Sequence, residues 1–86
     1  MDYCAITFVS TYGAIYAQKM LTGKAPFQVM PVLREISLGC GISLRIPPEH
    51  VNTAQEVLAI SELKPEEYAF YGITGSGSAL RAEPMT

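Results

Sequence analysis

The chain has 86 residues, 49% hydrophobic and 16% charged, with six Lys and Arg against eight Asp and Glu and a net charge of −2. That balance fits one small folded domain and excludes disorder, a basic nucleic-acid surface and, with no apolar run near the roughly 20 residues required, a membrane-spanning helix. Met1-Asp2-Tyr3 lacks the basic start of a signal peptide, and the two cysteines, Cys4 and Cys40, are too few for a disulfide scaffold, so a reducing cytoplasm and two free thiols are expected.

Tyr3 to Val9 reads as a strand, with Cys4, Ile6 and Phe8 on one face and Ala5, Thr7 and Val9 on the other. Ser10 and Thr11 offer cap hydroxyls, so a helix should begin there. Ala14, Ile15, Ala17, Gln18 and Leu21 continue it, and Tyr12, Tyr16 and Met20 broaden its apolar side. Gly23 is a stop signal. Phe27 to Val32 predicts a second strand, and Leu33 to Gly41 a loop. Ile42, Leu44 and Ile46 alternate with Ser43 and Arg45 as a third strand, which Pro47-Pro48 ends. Val51, Ala54, Val57 and Leu58 mark a second helix, and Tyr68 to Ile73 a fourth strand.

The order is β-α-β-β-α-β. It predicts a ferredoxin-like α+β domain over residues 1–73, a four-stranded antiparallel sheet in the order 4-1-3-2 with both helices on one face. An open α+β sandwich with another strand order is the competing topology. Residues 74–86 contain Gly75-Ser76-Gly77-Ser78 and Pro84 and read as a flexible, dispensable tail.

This topology puts the loop before strand three at the edge where strand one ends and the first helix begins. Cys40 and the Ser10-Thr11 start should share that edge. Cys4 lies at the other end of strand one, roughly 20 Å away, too far for a disulfide between them. Cys4 is in register with Ile6 and Phe8, the position of a small buried hydrophobe. Cys40 is flanked by Gly39 and Gly41, which leave its thiol unshielded. Arg34 upstream and the helix start are sources of positive potential that favour a thiolate. The structural alternative is a tight turn that holds a cysteine incidentally. His50 should stand at the start of the second helix, on the opposite edge, where a surface role suits it. Glu35 suits a solvated carboxylate. One histidine and two distant cysteines make no tetrahedral metal site, and no phosphate-binding glycine motif occurs, so no cofactor is expected.

The segment Pro31-Val32-Leu33-Arg34-Glu35-Ile36-Ser37-Leu38-Gly39-Cys40-Gly41-Ile42-Ser43-Leu44-Arg45 resembles the signature of the small bacterial selenium/sulfur (Se/S) carrier-like proteins, a domain of unknown function. Their pattern is a Pro, then Arg-x-Ile-Ser, then Cys-Gly before an apolar strand. Phe8-Val9-Ser10-Thr11 followed by Ala14 is similar to the family's opening. The likeness spans about Tyr3 to Ile73. Leu33 stands where a second proline is common, and the Gly/Ser tail lies outside the pattern. The resemblance implies a carrier rather than a stand-alone enzyme. Cys40 would hold a persulfide or selenosulfide for a partner sulfur- or selenium-transfer enzyme, supported by Arg34, Ser10, Thr11, Gly39 and Gly41. The alternative is a non-catalytic module that binds an anion or small ligand at the same edge, or that regulates by dimerising. A homodimer fits either reading.

Overall fold

Strand β1 (Tyr3–Phe8) is the axis of the molecule, because Cys4 to Phe8 are buried without interruption. A strand buried on both faces needs neighbours on both edges, and β1 has them. It pairs antiparallel with β3 (Ile42–Ile46), Cys4 opposite Ile46, and with β4 (Tyr68–Thr74), Ile6 opposite Phe70. Strand β2 (Gln28–Pro31) adds to the far edge of β3, and β5 (Arg81–Met85) to the far edge of β4. The result is a five-stranded antiparallel sheet in the order β2-β3-β1-β4-β5. This computed structural model describes residues 1–33, Ile36 and residues 40–85.

Helices α1 (Thr11–Leu21) and α2 (Val51–Ala59) supply Ala14, Ala17 and Leu21, and Val51, Ala54, Val57 and Leu58, to one core cluster. From the sheet that cluster takes Cys4, Ile6, Phe8, Leu44, Ile46 and Phe70, the set that period-two alternation puts on one face. Each large side chain fully buried here contributes about 1.5–3 kcal/mol of transfer free energy. The other face of the sheet is built from small residues at its centre, Ala5, Thr7 and Ser43, all buried. The Ser43 hydroxyl donates to the Pro31 carbonyl at 3.2 Å.

The first four strands and two helices follow the predicted order, with bounds shifted by a residue or two. Two expectations are corrected. The sheet has five strands, not four: residues 81–85, expected within a flexible tail, pair with β4 from Arg81 opposite Thr74 to Met85 opposite Phe70. The chain reverses through Gly75 at φ +79° and Gly77 at φ +57°, a left-handed region that glycine enters without strain. A Cβ on Gly75 would lie 2.6 Å from the Ala79 carbonyl oxygen. The Asp2 carboxylate accepts from the Gly75 amide at 2.9 Å and ties the turn to the N-terminus. Pro84 is tolerated because β5 is an edge strand. Second, the buried face of α1 is Gly13, Ala14, Ala17 and Leu21, while Tyr12 and Ile15 are exposed. Ala14 and Ala17 pack against the sheet beside Leu21, and Tyr12 and Ile15 are left outside.

Candidate functional site

Cys40 is held where β1 runs out. Its amide donates to the Phe8 carbonyl at 3.3 Å, and the Val32 amide donates to the Gly41 carbonyl at 3.1 Å, so the end of the loop closes back onto both neighbouring strands. The Cys40 side chain is half-buried and packs on the rim of the core, with its thiol 3.6 Å from the Ile42 carbonyl, a weak S–H donor contact.

The start of α1 is two residues beyond Phe8. Ser10 is its N-cap, in extended conformation, and its hydroxyl accepts from the Gly13 amide at 3.1 Å. Thr11 is the first helical residue and is exposed. Cys40, Ser10 and Thr11 therefore meet at one edge. Gly41 has no left-handed φ, and a Cβ there would meet open space among the described residues, so its value at this position is the absence of a side chain beside the thiol. Arg34, Glu35 and Gly39 lie outside the described residues.

Exposed apolar side chains adjoin this edge. Val9 is 63% exposed and Tyr12 74%, with Ile15 one turn further along α1. Tyr12 stacks on Tyr16 at 6.3 Å between ring centroids, and the Tyr16 hydroxyl accepts from the Glu62 amide at 3.1 Å. Helical periodicity put Tyr12 and Ile15 on the apolar side of α1. Only the close packing of Ala14 and Ala17 on the sheet turns them outward, a tertiary effect.

Cys4 is the opposite case. It is fully buried, with Met85 Sδ 3.9 Å from its sulfur. Burial pushes its thiol up from 9.0 to about 11, with a backbone hydrogen bond at Tyr71 pulling weakly the other way. Its proton is retained at neutral pH, and both cysteines are free thiols. His50 closes the short turn before α2, and no group of three or more His, Cys, Asp and Glu is gathered among the described residues.

The segment carrying Cys40 is also the part of the chain with a family match. The family described as "Putative Se/S carrier protein-like" matches residues 3–69. The chain belongs to that family. The match takes in β1, α1, Cys40, β3 and α2 and ends at the start of β4, so β5 lies beyond it. No curated protein and no solved structure matches the chain. No helix among the described residues is long and apolar enough to cross a membrane.

Proposed function

We propose that this protein is a cytoplasmic carrier that holds one sulfur or selenium atom on Cys40 and passes it to a partner transfer enzyme. The observation that carries the reading is the placement of the two thiols. Cys40 is half-exposed at a strand end beside a helix start, whereas Cys4 is sealed in the core with its thiol pushed up to about 11. Membership of a Se/S carrier-like family supports the cargo.

The chemistry asks little of the fold. The Cys40 thiolate attacks the outer atom of a donor persulfide, R–S–SH, or selenosulfide, R–S–SeH. A bond forms from Cys40 Sγ to that atom, the donor S–S or S–Se bond breaks, and its electron pair leaves on the donor as R–S⁻, which takes up the proton that Cys40 lost. A nucleophile on the acceptor then repeats the exchange and releases Cys40 as thiolate. No net oxidation occurs and no second protein cysteine is needed. The ligand-module alternative has less support at this edge, because the Ser10 hydroxyl is committed to the helix cap.

Intact mass after incubation with glutathione persulfide tests the proposal. Wild type and Cys4→Ala should gain one sulfur atom, and Cys40→Ala none. An adduct on Cys4, or none on folded wild type, would sink it.

A further inference from the structure

A concavity of about 430 Å³ lies at the opposite edge of the sheet from Cys40, where β1 and β2 begin and β3 ends. The length of β1 separates it from Cys40, roughly 16 Å. Its volume is at the lower end of the range for small-molecule sites, about 300–1,000 Å³.

Its walls are apolar: Tyr3, Phe27 and the Pro47-Pro48 pair. Three charged residues also line it, Arg45, Asp2 and Glu49. The Arg45 guanidinium lies 4.1 Å from the centre of the Tyr3 ring. One π face of the fork is thereby engaged and its orientation set, while the N–H edges remain for a ligand. Arg45 has no carboxylate within ion-pair distance among the described residues. An oriented guanidinium fork is the side chain best matched to a carboxylate. One Asp2 carboxylate oxygen accepts from the Gly75 amide outside the cleft, which leaves the other oxygen for a ligand.

The balance of charge selects the ligand. One cation and two carboxylates disfavour a simple anion, which Asp2 and Glu49 would repel. A simple cation would meet the carboxylates but would be repelled by Arg45 and leave its fork without a partner. A molecule carrying both charges close together on an apolar body satisfies all three. We propose that this cleft binds the zwitterion of a free apolar α-amino acid. The carboxylate sits on Arg45, the ammonium faces Asp2 and Glu49, and the side chain lies against Tyr3, Phe27 and the prolines. The site does not involve Cys40 and stands independently of the carrier chemistry.

Isothermal titration of the full chain tests this, with L-leucine, L-methionine and L-phenylalanine as probes. L-leucinamide, which lacks the carboxylate, and N-acetyl-L-leucine, which lacks the ammonium, are the controls. At least one amino acid should bind saturably, and both blocked leucines should bind about tenfold more weakly or worse than leucine. Arg45→Gln should lose about the same factor, Arg45→Lys should fall between, and Cys40→Ala should bind like wild type. Arg45 is exposed on β3 and its replacement leaves the core untouched, which a circular dichroism melt of each variant verifies. No binding of any of the three up to about 10 mM would overturn the proposal. So would leucine analogues that bind equally well with either end blocked, or an Arg45→Gln variant that binds like wild type.

Discussion

Cys4 makes the protein's stability depend on alkaline pH in a way that can be isolated. Its thiol is raised from 9.0 to about 11 because the thiolate would have to form inside the core. The folded state therefore holds this proton more tightly than the unfolded chain. Below pH 9 both states are protonated and the stability is fully present. As pH rises the unfolded chain ionises first, and stability falls until the folded thiol also ionises near 11. Two pH units at about 1.4 kcal/mol each give a total loss of about 2–3 kcal/mol. Urea unfolding measured at intervals from pH 7 to 11 follows it. Tyrosines and lysines titrate in the same window, so the comparison is with Cys4→Ala, which keeps them all and lacks the thiol. The variant should start less stable at pH 7, because a buried sulfur is lost, and the gap to wild type should narrow as pH rises. Two curves that stay parallel from pH 8 to 11 would refute the reasoning, since they would mean that Cys4 ionises as readily in the fold as out of it.

Two further outcomes concern the C-terminal strand. Deleting residues 81–86 removes the β4 pairing and Met85, which packs on the core, and should cost about 2–4 kcal/mol in a denaturant melt; a loss under about 1 kcal/mol would mean that the segment is as dispensable as its composition suggests. Gly75→Ala, with φ +79° and a Cβ 2.6 Å from the Ala79 carbonyl oxygen, should cost more than Gly23→Ala, where φ is +82° but nothing lies within 4 Å. The second should lose about 1–2 kcal/mol from backbone strain alone, and equal losses would show that the Gly75 turn relaxes freely.

Where period and punctuation agreed, the sequence specified the element closely. Ile42, Leu44 and Ile46 alternate up to Pro47-Pro48, and β3 ends at Ile46. Ser10 caps α1 as its hydroxyl predicted. Strand β5 was illegible for a physical reason. Arg81-Ala82-Glu83-Pro84-Met85 has little strand propensity and no alternation, and it becomes a strand because β4 would otherwise present an open edge to it. The exposed Tyr12 and Ile15 were misread for a similar reason, since helical periodicity cannot tell whether the sheet accepts the large side or the small one. At the candidate site, the burial of Cys4 could be read from its register and the place of Cys40 from the topology, and the hydrogen bond that the Cys40 amide donates to the Phe8 carbonyl is the geometry that topology implies. The cleft at Tyr3 and Arg45 left no sequence motif, because its walls come from three separate segments that meet only through the pairing of β2, β3 and β1.

The burial of Cys4 bears on the carrier reading beyond its own reactivity. A persulfide on Cys40 would be destroyed by any nearby thiolate able to attack its inner sulfur, forming a disulfide and expelling hydrosulfide. That side reaction needs the two Cα atoms within about 7 Å and an ionised second thiol. The fold denies both conditions. Cys4 and Cys40 lie at opposite ends of β1, and the Cys4 proton is held to about pH 11. A single central strand thus gives the chain one thiol that solvent can reach and one that cannot compete with it. A loaded carrier would then lose its cargo only to an external nucleophile.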